Sequence, residues 1–275
     1  MKQLDAIEQF KQLHASGCFL LPNPFDIGTA LYLQHLGFKA LATTSAGFAF
    51  SQGLTDDAVS RELMLKHISE IVEATPLPVN ADFQNGYADE PEDVAASVRL
   101  CVATGVAGLS IEDNTKNPAK PLYEDELAIA RIKAARQAID ESGVPVVLTA
   151  RCEVWLLGQP NPFEVALKRL VAFAEAGADC LYAPGVTDPD EISAIVKAVA
   201  PKPVNVLVWK PDPNLTLARL TDLGVRRISV GSALSRVVWG AFINAAKSIL
   251  ETGKFDVLAA GAPFADLNEV FSKQS

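Results

Sequence analysis

The sequence predicts an α/β protein with a (β/α)8 (TIM) barrel. Eight short apolar runs each precede a longer segment of helical periodicity, without a second composition regime along the 275 residues. This alternation is typical of such a barrel. A doubly wound sheet would instead carry a glycine-rich phosphate turn after its first strand, and the segment LPNPFDIGTA lacks that turn. We therefore expect one barrel domain over residues 1–275.

The predicted strands are short and bounded by turn residues. They are CFLLPN (18–23), ALATTS (40–45), PVNAD (78–82), GLSIED (108–113), PVVLTAR (145–151), CLYAPG (180–185), PVNVLV (203–208) and RISVG (227–231). With the helix that should follow the last strand, the barrel is expected to occupy residues from about 18 to 250.

The segments between the strands have the periodicity of amphipathic helices. Examples are PEDVAASVRLCVATG, DELAIARIKAARQAIDESG and PFEVALKRLVAFAEAG. Glycines that can end such helices in the left-handed conformation follow at Gly105, Gly143, Gly177 and Gly224. The N-terminal MKQLDAIEQFKQLHASG predicts a further helix before the barrel, and residues 251–275 predict a helical extension after it.

The composition restricts the classes of function. Hydrophobic residues make up 49% of the chain and charged residues 21%, which supplies a large core. The net charge of −9 argues against a nucleic-acid partner, because phosphate binding requires a basic surface. No apolar run approaches a membrane span, and acids interrupt the N-terminal segment where a signal peptide would be apolar. We therefore expect a cytoplasmic protein that binds a small molecule.

The cysteines and histidines show no catalytic arrangement. The cysteines lack CxxC and CxxxC spacing, and most sit inside apolar runs, which predicts reduced, buried thiols: they are Cys18, Cys101, Cys152 and Cys180. The histidines all fall in predicted helices, where surface or packing roles are expected: they are His14, His35 and His67.

Polar residues collect at the carboxyl ends of the predicted strands, where barrel enzymes build their active sites. They are Thr43, Thr44 and Ser45 on the second strand, Asp82 on the third, Glu112 and Asp113 on the fourth, Arg151 and Glu153 on the fifth, and Asn205 on the seventh. Because side chains alternate along a strand, only one of Glu112 and Asp113 can face the barrel axis. Arg151 and Glu153 share one face, which turns Cys152 toward the helix layer.

Carboxylates from neighbouring strands form a hard-oxygen site. Mg²⁺ suits such a site because it takes few protein carboxylates and keeps waters that a substrate can displace. A chelated 2-oxo acid would add two oxygens, and the metal would stabilise a developing enolate. Arg151 can hold a carboxylate in bidentate fashion. The backbone amides of the turn Ser45–Ala46–Gly47 can donate to a substrate oxyanion.

The same residues can also have purely structural roles. Asp82 can cap the turn after its strand, and Ser45 can be an ordinary hydrogen-bonded hydroxyl. Glu112 or Asp113 can form a structural ion pair with Arg151 inside the barrel mouth. The later acids of VNADFQNGYADEPED follow the ordinary pattern of a helix start, with a proline and acids in the first turn.

Five segments together resemble the isocitrate lyase/phosphoenolpyruvate mutase superfamily. They are ATTSAGFAFSQGLTD, VNADFQNGYADEPEDV, GLSIEDN, LTARCEVWL and VNVLVWKPD, between about residues 20 and 250. The resemblance implies a (β/α)8 barrel, often with its last helix exchanged between subunits of a homodimer or homotetramer. It also implies Mg²⁺, with Mn²⁺ as a substitute, and C–C or P–C bond chemistry beside a 2-oxo acid through an enolate-like intermediate.

The resemblance implies roles for individual residues at the metal. Asp82 matches the carboxylate that binds Mg²⁺ directly. Glu112 matches an acid that reaches the metal through a water molecule, and Asp56 matches another acid that does not touch the metal directly. Gln84 stands where many members have a second aspartate, so it is expected to reach the metal only through water and to weaken Mg²⁺ binding.

The substrate is expected to meet residues from other strands. Ser45, Ala46 and Gly47 match the turn that holds its carboxylate and oxo group. Arg151 matches the substrate-binding arginine, and Asn205 lies in a segment that contacts the ligand. The residues expected to be catalytic are Asp56, Asp82, Glu112 and Arg151.

Departures from the family pattern reduce the number of reactions that the sequence is compatible with. The loop DNTKNPAKPLYEDE lacks the Lys-Lys-Cys-Gly-His signature of isocitrate and methylisocitrate lyases, and it differs from the Lys-x-x-Pro-Lys lid of the mutase. The strand end YAPG lacks the histidine of the phosphonate enzymes. The sequence therefore predicts a Mg²⁺-dependent C–C lyase for a small 2-oxo or 2-hydroxy (di)carboxylate, like oxaloacetate decarboxylases or substituted-malate lyases.

Two other functions remain as alternatives from the sequence. One is a phosphonate mutase or hydrolase, and the other is a barrel that binds 2-oxo acids without turnover. The proton donor of a lyase reaction is open among Tyr87, Tyr123 and Glu153.

Overall fold

Eight parallel strands form the predicted barrel in the computed structural model, which describes residues 2–273. They pair in the order β1-β8-β7-β6-β5-β4-β3-β2, and the Ala42 amide donates to the Pro22 carbonyl at 3.0 Å between the β1 and β2 edges. The strands are β1 (Phe19–Leu21), β2 (Leu41–Ala42), β3 (Val79–Asp82), β4 (Gly108–Glu112), β5 (Val147–Arg151), β6 (Cys180–Tyr182), β7 (Val204–Leu207) and β8 (Arg227–Ser229). All eight sequence-predicted strands are thus confirmed, with shorter ends.

Helices alternate with the strands and continue beyond them at both ends. They are α1 (Gln3–Ala15), α2 (Ile27–His35), α3 (Ser45–Ser51), α4 (Arg61–Ala74), α5 (Pro91–Ala103), α6 (Asp125–Ser142), α7 (Pro162–Glu175), α8 (Pro189–Val199), α9 (Leu217–Asp222), α10 (Ala233–Thr252) and α11 (Phe264–Ser272), with 3-10 turns at Asp56–Ala58 and Asp256–Ala260. None of these helices has the length and apolar composition of a membrane span.

The helix α1 lies at the amino-terminal end of the barrel. Its Phe10 and His14 pack edge-to-face against Phe19, the first residue of β1, with ring centroids 6.1 and 5.0 Å away. His14 also contacts Arg227, the first residue of β8. The predicted N-terminal helix is therefore confirmed, and it closes the barrel end opposite the predicted site.

The second strand is shorter than predicted, because its last polar residues begin a helix. β2 ends at Ala42, and Ser45 is the first residue of α3. The Thr44 side chain accepts a hydrogen bond from the Gly47 amide at 3.2 Å and caps that helix, as threonine often does at this position. The prediction that Ser45 ends a strand was therefore wrong.

Buried histidines pack elements that carry the site. His67 of α4 stacks on Phe48 of α3, with ring centroids 3.9 Å apart, and thereby supports the helix that begins at Ser45. Burial lowers the pKa of His67 to about 4, although the Asp26 charge acts in the opposite direction. Both His14 and His67 are buried, whereas His35 is exposed. The predicted packing and surface roles are thus confirmed.

The C-terminal helices leave much apolar surface exposed. Of the twenty residues of α10, only Ser235 is buried, whereas Val237 is 68% and Leu250 86% exposed. The helix α11 lies against α2 and buries Val270. These helices confirm the predicted extension, although Gln274 and Ser275 of its predicted range lie outside the described residues.

Acid should destabilise the fold through His67. The unfolded chain binds a proton near pH 6.5 while folded His67 stays neutral down to about pH 4, so this contribution is present above pH 6.5 and is lost as the pH falls. We expect His67→Leu to reduce the loss of unfolding free energy between pH 6.5 and 5 by about 2 kcal/mol. Urea unfolding at both pH values measures it. His35→Gln is the exposed control, and an unchanged pH slope in His67→Leu would contradict the prediction.

Candidate active site

A polar cavity of about 360 Å³ opens at the carboxyl ends of the strands. The predicted site residues on its wall are Ser45, Ala46, Asp56, Asp82, Glu112, Arg151 and Asn205. Gly47 and Gln84 were predicted with them but do not line it. The barrel therefore brings together residues that are up to 160 positions apart in the chain.

Arg151 is the centre of the cavity wall. Its Nη1 lies 2.7 Å from Asp82 Oδ1 and 2.9 Å from Glu112 Oε1, and its Nε donates to Glu153 Oε1 at 2.8 Å. These residues meet because β3, β4 and β5 are neighbours and Glu112 is in register with Arg151. The predicted ion pair of Arg151 with an acid of β4 is thus present, and Glu112 forms it.

Three carboxylates around one guanidinium leave an excess of negative charge. Burial raises the pKa of Glu112 well above its usual range, and the Arg151 charge acts against that shift. Burial also raises the pKa of Glu153 and, together with the Asp82 charge, that of Asp56. The wall formed by β3, β4 and β5 therefore favours protons or an added cation.

Backbone and hydroxyl groups hold Asp82 in place. Its amide donates to Thr43 Oγ1 at 2.9 Å, and its Oδ2 accepts from the Ser45 amide at 2.9 Å. The Gly47 amide donates to the Thr44 hydroxyl oxygen. Of the three turn amides predicted to meet an oxyanion, only that of Ala46 is left without a hydrogen bond to another described residue. The oxyanion role of this turn stays a prediction, with Ala46 as its available donor.

Gln84 connects two loops at the edge of the site. Its Nε2 donates to the carbonyl and the carboxylate of Asp56 at 3.1 and 3.2 Å, and its Oε1 accepts from Lys116 Nζ. Lys116 also lies 3.8 Å from Asp57. Both ends of the amide are occupied in this way, and its contact with a metal through water stays a prediction. Lys116 was missed, because only the fold of its loop brings it here.

Alternation along the strands is as predicted. Asp113 points away from the cavity, accepts from the Glu153 amide at 2.8 Å and pairs with Arg169 at 2.8 Å. Cys152 is fully buried outside the cavity wall. Asp113 and Cys152 therefore belong to the packing between the barrel and its helices.

Of the three proton-donor candidates, only Glu153 lines the cavity. The Tyr123 hydroxyl donates to Asp89 at 2.5 Å and accepts from Asn85 at 3.1 Å, behind the wall. The Tyr87 hydroxyl is buried without a hydrogen-bond partner among residues 2–273. The geometry therefore favours Glu153.

The residues at the Arg151 cluster fit a Mg²⁺ ion. No group of three or more His, Cys, Asp or Glu side chains is preassembled for a metal in the described part of the chain, but Mg²⁺ needs only one or two carboxylates beside water and substrate. Oxygens of Asp82 and Glu112 converge on the same Arg151 nitrogen at 2.7 and 2.9 Å. Two hard oxygens directed at one cationic atom are a suitable donor set for Mg²⁺.

The sequence interpretation missed the floor of the cavity. Tyr182, Arg227 and Ser229 line it, and the register places Arg151 opposite Tyr182, Tyr182 opposite Asn205 and Asn205 opposite Arg227. Alternation in RISVG could have found Arg227, because it shares a face with Ser229 at the strand end. From the sequence, Arg227 was predicted only as the first residue of the strand RISVG.

A family model and a relative each match most of the chain. The family model of phosphoenolpyruvate phosphomutase matches residues 10–250. An uncharacterised protein of Mycobacterium tuberculosis is 34% identical over 261 residues, 94% of each chain. An oxaloacetate decarboxylase of Rhodopseudomonas palustris is 32% identical over 162 residues, which are 55% of this chain and 54% of the relative.

Solved structures agree with this assignment. A candidate lyase/mutase of Burkholderia cenocepacia has a TM-score of 0.95 and 46% identity, over 98% of this chain and 97% of that chain. 2-Methylisocitrate lyases also match the sequence, and 2,3-dimethylmalate lyase and oxaloacetate acetylhydrolase share the fold. The resemblance found in the sequence is confirmed: the chain belongs to the phosphoenolpyruvate phosphomutase family, within the isocitrate lyase/phosphoenolpyruvate mutase superfamily.

Proposed function

We propose that this chain is a Mg²⁺-dependent C–C lyase for a small 2-oxo or 2-hydroxy dicarboxylate, with oxaloacetate as the first candidate. The observation that carries the proposal is the convergence of Asp82 and Glu112 on Arg151 at 2.7 and 2.9 Å on the wall of a polar cavity. This arrangement combines carboxylates for a hard cation with a guanidinium for a substrate carboxylate. Mn²⁺ would fit the same oxygens.

The relatives and the loop after β4 support C–C cleavage of an oxaloacetate-type substrate over the other reactions of the superfamily. A match to an oxaloacetate decarboxylase accompanies the absence of the Lys-Lys-Cys-Gly-His signature from residues 112–126. A reaction that forms an enolpyruvate-type product does not need a dedicated cysteine, because solvent or a nearby acid can protonate the enolate. Phosphonate chemistry is the second candidate, and the match of residues 10–250 to the phosphoenolpyruvate phosphomutase family favours it.

Each side chain has a role that its position supports. Bound Mg²⁺ would supply stabilisation of the enolate, with Asp82 and Glu112 as its holders. Arg151 binds the substrate carboxylate, and the Ala46 amide donates to the oxo group. With oxaloacetate, the electron pair of the broken C–C bond moves into the enolate as CO2 departs. Glu153, whose pKa is raised by burial, then delivers a proton to the enolate carbon and forms pyruvate. Asp56 orients water beside Asp82.

A substrate panel tests this function. Purified protein with Mg²⁺ is given oxaloacetate, substituted malates, methylisocitrate or phosphonopyruvate, and 2-oxo acid, oxalate and phosphate are measured. We expect C–C cleavage of a dicarboxylate, abolished by EDTA and lowered in kcat/KM by at least about 100-fold in Asp82→Ala, because the principal metal ligand is lost. Asp93→Asn, on the exposed surface of α5, is the matched control.

The other outcomes are equally informative. Turnover that survives both EDTA and Asp82→Ala would refute the metal mechanism. Phosphate release from phosphonopyruvate alone would favour the second candidate. Thermal stabilisation by these acids without any turnover would favour a binding protein.

Glu153→Gln tests the proton donor. The amide keeps the volume of the side chain and an oxygen for the Arg151 Nε contact, but it cannot deliver a proton. We expect kcat to fall about 100-fold while KM for the substrate stays within about twofold. Asp57→Asn, at the exposed rim of the cavity, serves for comparison. An unchanged kcat in Glu153→Gln would exclude this role.

We also propose that two or more copies of the chain assemble through α10. The outward face of β1 is uncovered, since Leu20 is 40% exposed while its register partner Ile228 is 4% exposed. The exposed side chains of α10 include Phe242 at 61% and Leu250 at 86%. Apolar faces of this extent on a strand and a helix are suited to cover each other between copies.

The oligomeric state in solution tests this assembly. We expect light scattering to give a dimer or tetramer for the wild type and a monomer for Phe242→Glu, because a buried unpaired charge opposes association. Lys247→Glu, a charge change at an exposed polar position of the same helix, should keep the wild-type mass. A monomeric wild type would contradict the proposal.

A further inference from the structure

Arg227 is a buried cation held only by neutral groups. Its side chain is 2% exposed, and its Nε donates to Asn205 Oδ1 at 2.8 Å and its Nη2 to Thr149 Oγ1 at 3.1 Å. Its Nη1 lies 3.3 Å from His14 Nε2. A guanidinium has five N–H groups, so these three contacts leave two unused. Among residues 2–273, the hydrogen-bond partners of the Arg227 side chain are Asn205, His14 and Thr149, none of which is a carboxylate.

The third neighbour, His14, is neutral. Burial lowers its pKa to about 3, and the Arg227 charge adds to that shift. Its Nδ1 lies 2.7 Å from the Phe10 carbonyl, which requires the proton on Nδ1 and leaves Nε2 as the acceptor for Arg227. All three acceptors around Arg227 are therefore uncharged, and they position its charge without neutralising it.

The two arginines of the cavity differ in this respect. Arg151 and Arg227 are its lining cations, but Arg151 contacts three carboxylates. The acids that line the cavity are Asp56, Asp57, Asp82, Glu112 and Glu153, all on or after β2, β3, β4 and β5. Acidic side chains are therefore concentrated on that side, whereas Arg227 lies at the β8 floor beside the polar groups of Asn205 and Ser229.

A charged group without an ionic partner is costly to bury unless it has a purpose or a ligand. We propose that Arg227 forms an anion subsite on the floor of the barrel, which binds the second carboxylate of a dicarboxylate while the first group is held near Arg151. Its class of ligand rests on the proposed function, whereas the subsite itself needs neither metal nor turnover. Arg227 is thus a specificity residue that selects dianionic over monoanionic acids.

Matched pairs of acids test the subsite by calorimetric binding. The probes are malonate, succinate and glutarate against propanoate, butanoate and pentanoate, each with Mg²⁺ and with EDTA. We expect the wild type to bind at least one dicarboxylate about tenfold or more tightly than its monocarboxylate partner. Arg227→Met should remove this preference and leave monocarboxylate binding within about twofold. Equal preference in wild type and Arg227→Met would overturn the proposal.

Two further variants separate binding from folding and from general charge. Arg226→Met removes a neighbouring surface cation that contacts the Gly17 carbonyl, and it should keep the preference. Asn205→Asp places a carboxylate on the Arg227 Nε, which neutralises the cation without removing it, and it should lose the preference even if Arg227→Met unfolds. If Asn205→Asp prefers dicarboxylates over monocarboxylates as strongly as the wild type does, the proposal is overturned.

The two proposals fail in different ways. If dicarboxylate preference depends on Arg227 but the substrate panel shows no turnover, the lyase function fails and the subsite stands. If turnover occurs with the same KM for dicarboxylates in wild type and Arg227→Met, the subsite fails and the lyase function stands.

Discussion

The contact of Arg151 with three carboxylates is the interaction on which the site depends. One guanidinium balances one of the three charges of Asp82, Glu112 and Glu153 in a nearly buried setting. Burial raises the pKa of Glu112 and of Glu153, and the charge of Asp82 adds to both shifts while that of Arg151 opposes them. Such a cluster is stabilised when its excess charge is shared with protons or cations, and this constraint is the physical basis for proposing it as a site for a divalent cation.

The barrel supplies the rigidity that this cluster needs. Asp82 is fixed through its amide by Thr43 and through Oδ2 by the amide of Ser45, so its second oxygen is directed into the cavity. The loop that follows is held by the buried Arg131, which donates to the carbonyl oxygens of Asn85, Ala88 and Asp89. The fold itself therefore holds the charged groups in position, which is the preorganisation that electrostatic catalysis requires.

Much of the architecture could be predicted from the sequence. All eight strands and the placement of Asp82, Glu112 and Arg151 on the cavity wall follow from apolar runs, alternation and the resemblance. Ser45 was misplaced at a strand end because TTS suits both a strand and a helix cap, and the Thr44 contact with the Gly47 amide decided between them. The neutral partners of Arg227 lie up to 213 positions away in the chain, so no local sequence pattern could have predicted these contacts.

Local periodicity and motifs in a fixed order were enough to predict the barrel, the superfamily and which acids can share a face. The charge balance of the cavity became visible only in the folded structure. Whether an arginine is neutralised depends on what other strands bring within hydrogen-bond distance, as the carboxylates around Arg151 and the neutral acceptors around Arg227 show. Electrostatic energy depends on distance and burial, and barrel closure sets both.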